Sequence, residues 1–239
     1  MRRIFFIFKL MIATSILIVL LIFANNRQAL QTIKLHDIII EKSQNNFVDK
    51  QLILTYLKDK LIDLDNIFMV DFDQKELEDF LELHHSIKSA EVFVNQKGDM
   101  NILIEQKNPI VRIQTKTSDY YLDEFGNKML LSNYFTPKIL IATGDIMIDH
   151  HDEIFRFVKQ INMSDFWKNQ IVQIHFNRDD ILLIPRVGDH KINIGSFDDI
   201  LEKLDNLYHF YKIAMPVKGW KTYCEINLKF KNQIVCIRK

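Results

Sequence analysis

The longest apolar stretch of the chain lies at its N-terminal end, where residues 4–24 carry a single charge, Lys9. A helix rises 1.5 Å per residue, so roughly 20 residues cross the ~30 Å hydrocarbon core of a bilayer. Because Lys9 lies near the start of the run, its long aliphatic stem can carry the ammonium back to the headgroups. The pattern therefore predicts a membrane-spanning helix over residues 4–24.

Two arginines, Arg2 and Arg3, precede this run. Basic residues beside a span stay on the cytoplasmic side, so residues 1–3 are expected to form a cytoplasmic tail and the rest to be exported. A cleaved signal peptide is the alternative, because residues 10–24 resemble a long apolar signal region. The segment after Ala24 lacks the A-x-A spacing of a cleavage site, which favours the membrane anchor.

Beyond the span, period-two alternation and helical stripes follow one another in the order strand, helix, helix, strand, strand. These segments are residues 33–40, 50 to about 60, 74–84, 87–96 and 100–106. Asp49 and Asp73 are placed to cap the two helices, and Glu76 completes a capping box with Asp73. Two helices on one face of a small sheet make a compact α+β domain, which we expect over residues 30–108.

From Pro109 onward, short strands outnumber helices. The expected strands are 111–115, 120–122, 128–131, 137–142, 171–176, 181–185, 191–194, 223–230 and 234–238, and the expected helices are 152–160 and 196–211. In the first of these helices, Ile154, Phe155, Val158 and Ile161 have the spacing of an inward face. We therefore expect a β-rich domain with two helices over residues 109–239.

The charge balance argues against nucleic acid as a partner. Lys+Arg and Asp+Glu each number 31, so the net charge is zero, whereas a nucleic-acid-binding face needs an excess of basic residues. With 6 Gly and 4 Pro, the chain should form regular secondary structure without flexible linkers.

No motif in the chain indicates catalysis, a cofactor or a small-molecule substrate. The nucleophile, phosphate-loop and dinucleotide signatures are missing, and the carboxylate pairs Asp71/Asp73 and Asp179/Asp180 stand where caps and turns use Asp. The pairs His84-His85 and His150-His151 could suggest a metal. Adjacent histidines diverge by about 100° on a helix, however, so neither pair has the spacing of a zinc site. We expect no enzyme activity, no cofactor and no metal site.

The two cysteines, Cys224 and Cys236, lie on the last predicted hairpin, which turns near Lys231 and Asn232. An offset of about three residues between them leaves roughly 10 Å, which is beyond the reach of a disulfide. We expect both to be buried thiols.

The same hairpin is the only segment whose predicted structure suggests a function. Its second strand, residues 234–238, ends the sequence, so we expect it at the edge of a sheet. An edge strand exposes unpaired backbone groups and must be either protected or used to bind another strand. From the residues alone, both a plain sheet edge and a strand-binding site remain open.

Three segments carry a resemblance to a known family: Pro109–Ile113, Tyr121–Gly126 and Ile226–Cys236. In their order and spacing they resemble the FtsQ/DivIB cell-division proteins, most closely the FtsQ of Bacteroidota. The resemblance implies residues 1–3 as cytoplasmic tail, residues 4–24 as inner-membrane span, a POTRA-like domain over 30–108 and a β domain over 109–239. The last two would lie in the periplasm.

The resemblance also implies a function: a bitopic divisome scaffold that recruits other division proteins, with its last strands binding FtsB of an FtsB–FtsL pair. The implied partner-binding residues are Lys229, Phe230, Ile234, Val235, Ile237 and Arg238. A tail of three residues departs from the longer tails of other family members, so the resemblance implies no partner contact for the tail. The alternative function is a POTRA-type factor in outer-membrane protein assembly or secretion.

Overall fold

The structure, a computed structural model, describes residues 2–42, 46–59, 67–178 and 180–239, and divides into two units, 1–106 and 107–239. The first unit begins with helix α1 (Arg2–Ala29). Within α1, the 20 residues Phe8–Arg27 are apolar and long enough to cross a membrane.

The remainder of the first unit is a small sheet with two helices. Its elements are β1 (Lys34–Ile40), α2 (Lys50–Asp59), α3 (Gln74–Glu82), β2 (Ile87–Val94) and β3 (Asp99–Gln106). The sheet order is β1-β3-β2, with β1 parallel and β2 antiparallel to β3. A parallel pair needs a long crossover, and here α2 and α3 belong to it. The predicted strand–helix–helix–strand–strand order is confirmed.

Both predicted helix caps are present in this unit. Asp49 Oδ1 accepts the Leu52 N–H at 2.7 Å, and Asp73 Oδ1 accepts the Glu76 N–H at 3.1 Å. Position 60, the expected end of the first of these helices, lies outside the described residues. Buried apolar residues from the strands and both helices form the core. They include Ile38, Ile53, Leu57, Leu77, Leu81, Val92, Ile102 and Ile104.

The second unit contains β4 (Pro109–Gln114), β5 (Asp119–Asp123), β6 (Lys128–Met129), β7 (Leu140–Gly144), α4 (His151–Asn162), α5 (Asp165–Gln170), β8 (Ile171–Asn177), β9 (Asp180–Pro185), β10 (Lys191–Gly195), α6 (Ile200–Lys218), β11 (Tyr223–Asn227) and β12 (Val235–Arg238). The nine strands form one sheet in the order β12-β11-β10-β9-β8-β7-β4-β5-β6. Alternate strand residues and the inner faces of α4 and α6 bury one continuous apolar core.

The structure adds elements that the sequence pattern did not predict. Helix α5 is a third helix, six residues long, capped by Ser164, whose hydroxyl accepts the Trp167 N–H. Helix α6 begins four residues later than expected, after Asp199 with φ 50°. It also continues past Tyr211, because Met215 is buried and Gly219, at φ 88°, ends it. On α4 the buried aromatic is Phe157, which the expected inward face did not include.

Candidate functional site

The C-terminal strand β12 forms one edge of the nine-stranded sheet. Over the described residues its one neighbour is β11, antiparallel, with Ile226 opposite Cys236 and Asn227 opposite Val235. In an antiparallel pair, backbone groups point alternately toward the neighbour and away from it. One row of N–H and C=O groups on β12 therefore faces outward, as an incoming strand requires.

Side chains of the edge segment alternate between core and solvent. Ile234 and Cys236 pack against the core, whereas Val235 and Ile237 are 42% and 50% exposed. This alternation follows from the period of two along a strand. It leaves two β-branched side chains on the face opposite the core, where they can contact the side chains of an added strand. Arg238 is exposed and stands opposite Tyr223.

Phe230 lies in the connection between β11 and β12, which corrects the expected strand over residues 223–230. Strand β11 ends at Asn227, whose side-chain Oδ1 accepts the Lys229 N–H at 3.0 Å. The Gln233 N–H then donates to Phe230 O at 3.2 Å, and Asn232 adopts a left-handed φ of 58°. This turn holds the Phe230 ring outward, with the residue 54% exposed.

Lys229 is held within the chain rather than projecting freely. Its Nζ lies 2.9 Å from Asp180 Oδ1, and Asn193 Nδ2 donates to Asp180 Oδ2 at 2.9 Å. The hydrogen bond from Lys229 is the main reason that the pKa of Asp180 lies below its ordinary value, and Asn193 adds to the effect. An ammonium has three donors, so Lys229 retains donors for a partner.

A shallow cleft of about 60 Å³ separates this connection from the first turns of α6. It is lined by Asp199, Glu202, Lys203, Asn206 and residues 228–234. Among the lining residues, Lys203 is held by hydrogen bonds from its ammonium to Ile194 O and Ser196 O. Small-molecule sites usually measure about 300–1,000 Å³, so the cleft is far too small for one.

The expectation that both cysteines are buried is wrong. Both are free and only half-buried, and the register offset is two residues, because Cys236 pairs with Ile226. The Cys224 thiol lies 3.5 Å from both Ile237 O and Arg238 O. Burial raises the pKa of the Cys236 thiol, which disfavours its thiolate form.

The side chains of both histidine pairs form local contacts within the chain. The His151 Nε2 lies 2.6 Å from the Tyr120 hydroxyl, His150 stacks on Phe176, and His84 stacks on His85. Within the described ranges, no group of three or more His, Cys, Asp or Glu side chains is placed to hold a metal ion. Of the two carboxylate pairs, Asp180 binds Lys229 and Asp73 caps α3, whereas Asp179 lies outside the described residues.

Sequence reasoning did not identify Asp180 and Asn193 as residues that hold the site. Both lie far along the chain from Lys229, and nothing in the local pattern connects them. The six expected partner-binding residues are all placed on β12 and the connection before it. Their role in binding stays a prediction.

Comparison with known families gives two matches, one within each of the two units. Residues 108–237 match the family described as FtsQ/DivIB, C-terminal related, and residues 33–105 match the POTRA-like domain. The comparison with curated proteins gives no match. The first family match covers more than half of the chain.

Proposed function

Because the chain belongs to the FtsQ/DivIB family, we propose that it recruits other division proteins by binding a partner strand at β12. Members of this family and POTRA-like domains are non-catalytic scaffolds, and the family acts through protein–protein interactions within the divisome. The chain is thus a single-pass membrane protein associated with cell division. The binding surface, the partner and the orientation belong to the proposal.

The observation that carries the proposal is the edge position of β12, with Val235 and Ile237 exposed on it. Strand addition takes affinity from backbone hydrogen bonds and specificity from alternate side chains. The partner strand would pair along Val235–Arg238 and contact the outward side chains. Ile234 supports this strand from the core side.

Phe230, Lys229 and Arg238 supply the remaining contacts in this proposal. The exposed Phe230 ring offers aromatic area, which is enriched among the residues that dominate binding energy. Lys229 and Arg238 offer positive charge to acidic side chains of the partner. We take the partner to be an FtsB/FtsL-like pair of division proteins.

The proposed orientation follows from Arg2 and Arg3 before the span. Residues 1–3 would be cytoplasmic, residues 4–24 would cross the inner membrane, and the domains at 30–108 and 109–239 would be periplasmic. The POTRA-like match is also compatible with the alternative, a factor in outer-membrane protein assembly or secretion. The FtsQ/DivIB match over residues 108–237 favours the division role.

Affinity measurements on the full-length protein in detergent test the proposal. The variants are Phe230→Ala and Val235→Ala/Ile237→Ala, and the ligand is the purified FtsB/FtsL-like pair from the same cells. We expect each variant to lose at least about tenfold in affinity, or about 1.4 kcal/mol. Ile213→Ala/Val217→Ala, which alters exposed apolar residues on α6, serves as the matched control.

The control variant should bind at wild-type affinity. A truncation after Asn232 should abolish binding and recruitment to the division site. If both edge variants bind as tightly as the wild type, the recognition surface lies elsewhere on the chain. Co-purification of outer-membrane assembly proteins in place of division proteins would favour the alternative function.

A further inference from the structure

The C-terminal end of α1 is tied to the loop that precedes α3. Ala29 O accepts the Val70 N–H at 3.2 Å, and Gln31 O accepts the Met69 N–H at 2.9 Å. Thr32 forms an antiparallel bridge with Phe68. Residues 67–71 therefore remain beside the chain that leaves the membrane span.

The length of α1 places this loop at the bilayer surface. The 20 residues Phe8–Arg27 extend about 30 Å at 1.5 Å per residue, which equals the hydrocarbon thickness. Ala29 lies two residues beyond Arg27 and five beyond Ala24, the expected end of the span, and so stands about 3 to 8 Å beyond the hydrocarbon boundary. The headgroup layer on each side is roughly 5–8 Å thick. The backbone of Val70, bound to Ala29, is consequently within that layer.

Three large apolar side chains are exposed at the end of α1 and in the loop bound to it. Leu30, Phe68 and Val70 are 68%, 44% and 65% exposed. We propose that these three residues, the juxtamembrane patch, insert into the leaflet at the C-terminal end of α1 and form a second membrane contact. Lipid is the occupant because the span itself holds the patch at the boundary, where apolar side chains can enter the acyl region.

Among the described residues near the patch, three basic side chains balance three acidic ones. Arg27, Lys34 and Lys97 are basic, and Asp71, Asp73 and Asp99 are acidic. Lys97 belongs to this region because Gly98 O accepts the Lys34 N–H at 2.9 Å. Because the charges among these described residues balance, we expect apolar burial rather than attraction to anionic lipid to drive the contact. Neutral phosphatidylcholine should therefore be sufficient.

A second contact would restrict how the first unit tilts and rotates on its span. A single helix leaves the exported part free to turn, whereas a span and a side contact together fix one edge of the unit against the leaflet. This inference rests on the membrane span and is independent of the partner role proposed for β12.

Fluorescence of the full chain in phosphatidylcholine vesicles tests the contact. An environment-sensitive NBD probe is attached at Val70→Cys in a Cys224→Ser/Cys236→Ala background whose unfolding midpoint matches the parent. The control probe is at Leu83→Cys. Leu83 is 77% exposed and lies at the far end of the nine-residue α3, about 13 Å along the helix from the loop.

The probe at position 70 should emit at shorter wavelength and lose emission when the vesicles carry doxyl-labelled lipid, whereas the probe at position 83 should do neither. Leu30→Ser/Phe68→Ser should return the position-70 probe to water-like, unquenched emission. The proposal is overturned if the probe at position 70 is not quenched by the doxyl-labelled lipid. Unquenched emission at a water-like wavelength would mean that the patch is free in solution. Unquenched emission at a short wavelength would mean that another protein copy covers the patch. Equal quenching of both probes would overturn it too.

Discussion

Lys229 Nζ and Asp180 Oδ1 lie 2.9 Å apart although 49 positions separate them in the chain. The pair ties the connection before β12 to the start of β9, two strands further into the sheet from β11. Lys229 also covers Gly195, where an added Cβ would stand 2.8 Å from Lys229 Cγ. Lys229 therefore belongs to the proposed binding surface and also stabilises it through its contacts with Asp180 and Gly195.

Removing this ion pair should have a small effect on stability, whereas reversing the charge should have a larger one. The two side chains are 41% and 29% exposed, so Lys229→Met, which retains the stem over Gly195, should cost under about 1 kcal/mol. Lys229→Glu sets a second carboxylate beside Asp180 and should be less stable than Lys229→Met. Urea unfolding of the two variants gives the comparison, and equal stability would argue against the pair.

Gly195 should not tolerate a side chain. Its φ is 68°, where a non-glycine residue costs about 1–2 kcal/mol, and the new Cβ would also meet Lys229 Cγ. We expect Gly195→Ala to destabilise the protein and Gly195→Ala/Lys229→Ala to recover the part due to the steric contact. Unfolding midpoints measure both. Additive losses in the double variant would show that the stem does not lie over Gly195.

Acid should destabilise the second unit through His190. Its ring is buried, with Nε2 2.6 Å from the Tyr211 hydroxyl, and burial lowers its pKa from 6.5. The unfolded chain therefore binds a proton more readily than the folded one, and stability is lost as the pH falls below 6.5. His190→Gln should flatten this dependence in unfolding measurements.

The control for this prediction is His151→Gln, because burial also lowers the pKa of His151. Its ring is less deeply buried than that of His190, so this variant should retain more of the acid dependence. If the His190→Gln protein keeps the full dependence, another group is responsible.

Topology can be tested with reporters, because Arg2 and Arg3 precede the apolar run. A reporter fused after Lys239 should be active only on the exported side, and the mature protein should keep residues 1–24. Reporter activity in the cytoplasm would contradict the orientation. A mature N-terminus at or after Asn25 would show a cleaved signal peptide instead of an anchor.

The sequence pattern predicted elements whose cause is local. The strand alternation around Ile102 and Ile104 and the caps at Asp49 and Asp73 depend on neighbours along the chain, and each is present. The late start of α6 was not predictable from periodicity, because it depends on the left-handed backbone at Asp199. The pairing of Lys229 with Asp180 depends on sheet register, for which a single sequence has no signal.

Hydrogen exchange along β12 tests the central claim most directly, since strand addition must protect backbone amides. Exchange is measured on the full-length protein with and without the FtsB/FtsL-like pair. We predict that the outward-facing amides among residues 235–238 gain protection when the partner binds, whereas β6 (Lys128–Met129), the opposite edge of the sheet, does not change. Unaltered exchange in β12 with the partner bound would contradict recruitment by strand addition.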